Sequence, residues 1–160
     1  MLQTNQTDPH IYFMREALRE GRRALQSEDV PVGAVVVLNG RIIGRGHNQV
    51  ELLGDPTAHA EMIAITSATA TLGEKWLRDA TLYVTVEPCS MCAGAAVLAR
   101  LKTLVYGVQD IKTGAHSSLF NLLNDPRLNH QVEVVPGILK EECAALMMDF
   151  FEHLRNGKKA

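Results

Sequence analysis

Residues 32–47 read VGAVVVLNGRIIGRGH, and this stretch predicts a β-hairpin. Two runs rich in β-branched residues flank Asn39-Gly40, a dipeptide favoured in two-residue hairpin turns. Gly44 and Gly46 in the second run indicate a bulge, or a place where another part of the chain closely approaches the backbone. The predicted strands cover residues 32–38 and 41–47.

Outside the hairpin, the apolar pattern alternates between helices and strands. An amphipathic helix is predicted before it, over residues 9–26. The predicted order after it is a helix over about 57–72, a strand over 80–86, a helix over 90–101, a strand over 103–108, a loop over 109–117, a short helix over about 119–123, a strand over 132–135 and a helix over 141–154. This alternation predicts an α/β sandwich in which helices flank a mixed five-stranded sheet. The long segment after residue 108 predicts a helical crossover and parallel pairing of the last two strands.

The composition is that of an ordinary globular domain. The 160 residues are 46% hydrophobic and 21% charged, with a formal net charge of −2 and a pI near 6.3. This length predicts a single domain over residues 1–160, with frayed ends at about 1–7 and 157–160. General nucleic-acid binders are ordinarily basic, so any RNA contact must come from a local surface.

Three features predict a cytoplasmic protein with no membrane partner. No apolar run approaches the roughly 18 residues that span a bilayer. The first ten residues are polar and lack the apolar core and cleavage site of a signal peptide. The chain has three cysteines, two of them in one Cys-x-x-Cys, which argues against a disulfide framework and for a reducing compartment.

Two short motifs supply the residue types of a catalytic zinc site. They are His59-Ala-Glu61 and, after a predicted strand, Pro88-Cys89-Ser-Met-Cys92. Two thiolates and one imidazole leave a fourth tetrahedral position open, whereas a structural site would close it with another Cys or His. The two cysteines can share one side of a first helical turn, where the helix N-terminus lowers a thiol pKa. Alone, a Cys-x-x-Cys is also typical of two small buried side chains or of a redox pair.

The combined pattern predicts hydrolytic deamination of a nucleobase. Zinc activates a water molecule by lowering its pKa. Glu61, which is not a ligand, takes the water's proton, delivers it to the ring nitrogen beside the amino-bearing carbon, and passes a second proton to the leaving amine. His59 and Glu61 stand two positions apart, so they can face one site only where a helix begins.

With these residues, the chain resembles the bacterial tRNA-specific adenosine deaminases of the cytidine deaminase superfamily. The likeness covers roughly residues 8–155, and its segments are 31–34, 55–61, 80–85, 87–95, 112–114, 137–139 and 142–146. The resemblance implies a three-layer α/β/α sandwich of the cytidine deaminase type, one Zn²⁺ per subunit, a homodimer and no nucleotide cofactor. It further implies conversion of adenosine to inosine at the wobble position of an arginine tRNA, with the anticodon stem-loop as the partner.

The resemblance also implies which residues contact RNA. One hydrogen-bonds the flipped base, three lie in a loop that touches the anticodon, and two on the last helix meet flanking nucleotides. In that order they are Asn48, then Asp110, Lys112 and Thr113, then Phe151 and Arg155.

The residues themselves leave alternatives open for several of these positions. Asn48 also fits the end of the second strand, and Asp110 with Lys112 also fits a solvated turn. Phe150 and Phe151 are adjacent, so one is expected to face the core and the other to face outward. The resemblance alone assigns the outward position to Phe151.

The segment around Asp110 departs from the family pattern. The changes lie near the implied RNA loop and not near the zinc motif, so they bear on RNA contacts and not on the reaction. The departing residues are Gln109, Ile111, His116, Ser117 and Asn121. Cys143 has no partner at ligand spacing and is predicted to be a small buried apolar residue.

Two other functions fit parts of the sequence. A deaminase of a free base or nucleoside, such as guanine, would share the zinc motifs but would not need the Lys112-Thr-Gly114 loop. A non-catalytic, zinc-stabilised RNA-binding module would leave Glu61 without a purpose beside the metal.

Overall fold

A computed structural model of the chain describes residues 8–157. Its elements are α1 (Pro9–Arg23), a 3-10 helix (Ala24–Ser27), β1 (Gly33–Leu38), β2 (Arg41–His47), α2 (Val50–Leu53), α3 (Ala60–Leu72), β3 (Thr81–Val86), α4 (Ser90–Leu98), β4 (Thr103–Val108), β5 (Glu133–Val135) and α5 (Lys140–Gly157). The strands form one sheet in the order β2-β1-β3-β4-β5. β1 runs antiparallel to β2 and β3, whereas β3, β4 and β5 are parallel. The predicted mixed five-stranded sheet is confirmed.

Helices cover both faces of this sheet, which completes the three layers. Successive strand residues point to opposite faces, so Val36 packs into a core formed with α3 and α4, and Val35 into a core formed with α1 and α5. The α3 and α4 side is rich in alanine, which lets the helices lie close to the strands. Cys143 of α5 is 1% exposed within the second core, so its prediction as a buried apolar residue is confirmed.

The two glycines of β2 lie directly against the backbone of α3. A Cβ atom on Gly44 or on Gly46 would overlap a carbonyl oxygen of that helix. The pairing register of β1 with β2 also shifts between Val36 and Val37, opposite Gly44. Both features that the glycines indicated, a bulge and a close backbone approach, are therefore present.

The prediction of a short helix over residues 119–123 is wrong. The N–H groups of Leu119 and Phe120 both donate to the carbonyl of Gly114, and the N–H of Leu122 donates to the carbonyl of Ala115. Helical bonds reach back four residues, whereas these reach back five to seven, so the segment closes a loop instead. The parallel pairing of β4 and β5, predicted for the same crossover, is confirmed.

Other boundaries differ by a few residues. Helix α3 begins at Ala60 and not near residue 57, because the side chain of Asp55 accepts hydrogen bonds from Thr57 and forms a turn there. The sequence pattern did not predict the four-residue helix α2. α5 continues to Gly157, and the rest of the predicted frayed ends, residues 1–7 and 158–160, lie outside the described residues. Among residues 8–157, none of the helices has the length and apolar character to cross a membrane.

We expect Gly44→Ala to destabilise the protein by about 1–3 kcal/mol, because the added methyl group forces α3 away from β2. Denaturant unfolding followed by circular dichroism measures this free energy. Arg41→Ala, an exposed change on the same strand, is the control and should shift stability by no more than about 0.5 kcal/mol. Equal stability of Gly44→Ala and the control would contradict the packing described.

Candidate metal centre and its pocket

Two helix N-termini meet at one end of the sheet, and each begins with a potential metal ligand. His59 is the N-cap residue of α3, and Cys89 is the N-cap residue of α4. Neither side chain caps its own helix by a hydrogen bond, so both are free to point into the site. Cys92 lies within the first turn of α4. The partial positive charge of a helix N-terminus favours the thiolate form of such cysteines.

The spacing of these three side chains fits a tetrahedral metal ion. Nδ1 of His59 lies 3.6 Å from Sγ of Cys89 and 3.6 Å from Sγ of Cys92. Zinc bonds of about 2.3 Å to sulfur and about 2.0–2.1 Å to nitrogen, at tetrahedral angles, give a nitrogen–sulfur separation of about 3.6 Å. Among the described residues, this is the group of His, Cys, Asp and Glu side chains whose donor atoms gather closely enough to hold a metal ion.

The protons of this group are distributed unevenly. Hydrogen bonds from Cys92 and His59 lower the pKa of Cys89 to about 4, although burial opposes the shift. The interaction with Cys89, together with burial, raises the pKa of Cys92. The hydrogen bond with Cys89 raises the pKa of His59 above its ordinary value of 6.5. At pH 6, below the ordinary pKa of histidine, the group therefore holds one thiolate on Cys89, one thiol on Cys92 and one imidazolium on His59.

Glu61 lies on the first turn of α3 and is 4% exposed. Burial raises its pKa, and the neighbouring Cys92 and His59 only partly offset this effect. A carboxyl group with a raised pKa both accepts and returns a proton more readily near neutral pH. Because His59 still has extended backbone and Glu61 is already helical, the two side chains converge on one site despite their spacing.

An open pocket of about 640 Å³ lies above this group. The side chains of His59, Glu61 and Cys89 line it, while Cys92 is fully buried beneath. Its remaining walls come from the segment before β1, from the residue after β2, from the ends of β3 and β4, from the segment after β4 and from α5. The rest of the lining includes Val30, Val32, Asn48, Val108, Asp110, Ile111, Lys112, Thr113, Met147, Met148 and Phe151. The structure thus brings eight of the ten predicted site residues to one pocket wall, and Cys92 to its floor.

Asn48 follows β2 and is 9% exposed. Its N–H donates to the carbonyl of Val32, and its Oδ1 accepts a 3.3 Å hydrogen bond from the N–H of Val50. These bonds fix the side chain at the pocket wall. Among residues 8–157 no acceptor takes a hydrogen bond from its Nδ2, so that donor is available to a bound base.

Asp110 begins the loop wall and organises it from within. Its Oδ1 accepts from the N–H groups of Lys112 and Thr113, and its Oδ2 accepts from the hydroxyl of Thr113 at 2.7 Å. The carboxylate is thus used inside the turn, while Lys112 and Thr113 are exposed at the rim. The loop therefore has the form of a solvated turn, which is the alternative that Asp110 and Lys112 also fit.

The last helix contributes an apolar wall. Phe151 is 39% exposed and lines the pocket, and its ring meets that of the partly buried Phe150 edge to face at 5.2 Å. Arg155 lies one turn further along α5, where it is exposed and outside the pocket wall. The structure therefore does not bring Arg155 to the site.

The sequence patterns predicted no role for two buried carboxylates near the pocket, Asp29 and Glu87. Asp29 is fully buried, and its two oxygens accept from the N–H groups of Glu51 and Leu52, which holds α2 next to Asn48. Glu87 is 3% exposed and accepts hydrogen bonds from the loop after β4. Long-range contacts of this kind leave no periodic signal, although the position of Glu87 directly before Pro88-Cys89 was a hint.

Known proteins similar to this chain are deaminases. The family model described as MafB19-like deaminase matches residues 8–155. The tRNA-specific adenosine deaminase of Bacillus subtilis (strain 168) is 50% identical over 148 residues, which are 92% of this chain and 92% of the relative. The tRNA-specific adenosine deaminase of Aquifex aeolicus (strain VF5) is 48% identical over 147 residues, 91% of this chain and 95% of the relative.

Solved structures agree with this result. A chain from a study of A-to-I editing by tRNA:A34 deaminases at the wobble position of transfer RNA is 44% identical, with a TM-score of 0.81 over 84% of this chain and 98% of that one. A guanine deaminase from Nitrosomonas europaea shares the fold at 24% identity, with a TM-score of 0.76 over 88% of this chain and 83% of that one. The predicted cytidine deaminase type of fold is confirmed by these neighbours.

We expect zinc to displace protons from this group on binding. At pH 6, addition of Zn²⁺ to the chelator-treated protein should release about two protons per site, one from His59 and one from Cys92. A pH indicator in weakly buffered solution measures the release. Cys92→Ser is the control, and it should bind zinc more weakly and release fewer protons. Zinc binding without proton release would contradict the protonation pattern described.

Proposed function

The chain belongs to the MafB19-like deaminase family and to the tRNA-specific adenosine deaminases, and on this premise we propose that it converts adenosine to inosine at the wobble position of an arginine tRNA anticodon. The observation that carries the proposal is the His59, Cys89 and Cys92 group with Glu61 beside it on the pocket wall. The 44% identity to a chain studied as a tRNA:A34 deaminase supports the wobble position. A cytoplasmic location fits this substrate.

We assign the three ligand positions to one Zn²⁺ per subunit. His59, Cys89 and Cys92 would hold the ion, which would supply Lewis acidity towards a water molecule in its fourth position. The remaining chemistry falls to Glu61, which is buried but lines the pocket that admits the substrate. Its raised pKa suits it to take one proton from water and give it to the ring nitrogen, and then to take a second from the hydroxyl group added to the carbon and give it to the leaving amine.

The pocket walls supply binding for a base that has left its stack. Asn48 offers its Nδ2 to the base, the apolar side chains of Val30 and Val32 would contact its faces, and Phe151 would meet a flanking nucleotide. Bases of an anticodon loop are already partly unstacked, so moving one into a pocket costs less than in a duplex. The loop that holds Asp110, Lys112 and Thr113 would contact the anticodon backbone and neighbouring bases, and Arg155, outside the pocket, would contact a flanking nucleotide.

We further propose that the protein is a homodimer and that α3 and α4 form its interface. Met91, Gly94, Ala95 and Leu98 follow the spacing of one helix face and are all at least partly exposed, Leu98 by 74%. Apart from the buried Glu61, neither helix carries a charged residue. Because a helix at a protein–water boundary ordinarily places charges on its outer face, this apolar face fits a second copy of the chain.

The zinc-loaded protein should produce inosine and ammonia from an arginine-tRNA anticodon stem-loop. Glu61→Gln should lower turnover by at least about 10²-fold while retaining zinc, because it removes the proton acceptor but no ligand. Inosine is measured by chromatography of digested RNA, and zinc by elemental analysis. Glu74→Gln, an exposed change beyond the opposite end of α3, is the matched control and should leave turnover unchanged.

Free guanine is the substrate that tests the alternative function, deamination of a free base. Ammonia from guanine and no inosine from the stem-loop would keep the zinc chemistry but reject the RNA substrate. Full turnover by Glu61→Gln would reject the proton-transfer role.

Leu98→Asp should convert the dimer to a monomer, because it replaces the most exposed side chain of the apolar face by a charge. Light scattering coupled to size-exclusion chromatography measures the mass. Leu25→Asp is the control, since Leu25 is similarly apolar and 42% exposed but follows α1, a helix of the opposite face. Retention of the dimer mass in Leu98→Asp would contradict the proposed interface.

A further inference from the structure

Glu87 is a buried carboxylate with no assigned role. It directly follows β3, and its N–H donates to the carbonyl of Val108, so it extends the parallel pairing of β3 and β4 by one step. Its side chain is 3% exposed. Burying an ionised carboxylate is unfavourable unless hydrogen bonds compensate for the lost hydration. The groups that donate hydrogen bonds to the Glu87 carboxylate therefore indicate the role of this residue.

Within the part of the chain that the structure describes, all the hydrogen bonds to this carboxylate come from one segment, residues 110–118. Oε1 accepts from the N–H of Asp110 at 3.1 Å and from the hydroxyl of Ser118 at 2.5 Å. Oε2 accepts from the N–H groups of His116 and Ser117 at 3.0 Å each, and from that of Ser118 at 3.3 Å. Hydrogen bonds to an ionised acceptor are roughly twice as strong as those between neutral groups. A single side chain therefore fixes both ends of the segment.

Fixing the two ends also fixes the turn between them. The N–H of Asp110 is bound to Glu87, and the Asp110 carboxylate in turn orients Lys112 and Thr113. Gly114 lies so close that a Cβ atom there would overlap the Glu87 carboxyl group. Glu87 therefore holds the exposed rim residues, Lys112 and Thr113, through Asp110, although its own carboxylate does not reach the rim.

The same segment also lies along the chain that carries a proposed zinc ligand. Cys89 and Gly114 form an isolated antiparallel bridge, and the N–H of Ala115 donates to the carbonyl of Pro88 at 2.8 Å. These backbone bonds do not involve the side chain at position 87, so we expect them to remain when the carboxylate is removed. Loss of the carboxylate should therefore release the rim and leave the zinc ligands in place.

We propose that Glu87 is a positioning residue that holds segment 110–118 in its RNA-binding conformation and so sets the affinity for the anticodon stem-loop. The proposal rests on the proposed function, because it takes the stem-loop as the substrate. Glu87 also lines the pocket, but both of its carboxylate oxygens are bound to the segment, so we assign it no contact with the base or the reacting atoms. Its removal should raise KM and leave kcat nearly unchanged.

Glu87→Gln is the decisive variant, because it keeps the size of the side chain but replaces one acceptor oxygen by a donor facing other donors. We expect KM for the stem-loop to rise about tenfold or more, with kcat within about threefold of the original enzyme. Zinc content should stay at one per subunit. Trypsin should cleave after Lys112, the only Lys or Arg of the segment, faster in the variant than in the unaltered protein.

Glu16→Gln is the matched control. Glu16 is also a buried carboxylate, 8% exposed, but it binds Arg19 and Arg45 on the α1 side of the sheet. It should leave KM and the cleavage rate after Lys112 unchanged. If Glu87→Gln does not fold, Ser118→Ala removes one of the five hydrogen bonds and should produce a smaller rise in KM and faster cleavage.

Three results would overturn the proposal. They are an unchanged KM and cleavage rate in both variants, a loss of zinc, or a fall in kcat without a rise in KM. Failure of the proposed function would give a different result. The unaltered protein would then not deaminate the stem-loop, but trypsin would still cleave Glu87→Gln after Lys112 faster than it cleaves the unaltered protein.

Discussion

The structure depends on the meeting of two helix N-termini at one end of a sheet. α3 and α4 lie side by side on the same face, and each begins beside the end of β3 that carries Glu87 and Pro88. Every group of the candidate metal centre is at or near the first turn of one of these helices. Such positions combine a partial positive charge with backbone that is only partly helical. His59 and Glu61 can face one another there, whereas two positions apart within a helix they would diverge.

Close packing against the sheet fixes where those two N-termini lie. Gly44 and Gly46 let α3 approach β2 to backbone contact, and the alanines of both helices keep the layer thin. The nitrogen–sulfur separations at the centre follow from this packing. A shift of α3 by even the width of a methyl group would move His59 relative to the cysteines of α4 and change a distance that a metal ion requires within a few tenths of an ångström.

Much of this arrangement could be predicted from the sequence, because its parts have local signals. Asn39-Gly40 predicted the hairpin, apolar periodicity located the main helices and strands, and the His-x-Glu and Cys-x-x-Cys motifs predicted the residues of the candidate metal centre. The helix predicted over residues 119–123 is wrong because contacts outside that segment determine its structure. Apolar residues there have helical spacing, but their N–H groups bond to Gly114 and Ala115, and tertiary contacts override local preference. The roles of Asp29 and Glu87 depend on partners more than twenty residues away, which no local pattern records.

The helices that carry the candidate metal centre also carry the outer face proposed as the dimer interface, so a dimer formed there would be coupled to the site. The inner side of α3 carries Ala64 and Ala68 against the sheet, its first turn carries Glu61, and its outer side has no charge to hold it in water. A second copy on that side would press both helices against the sheet. Because the ligand distances depend on how α3 and α4 lie together, association of two subunits would stabilise the zinc geometry without supplying a ligand. In the proposed dimer, the uncharged outer face would thus serve the chemistry of the site beneath it.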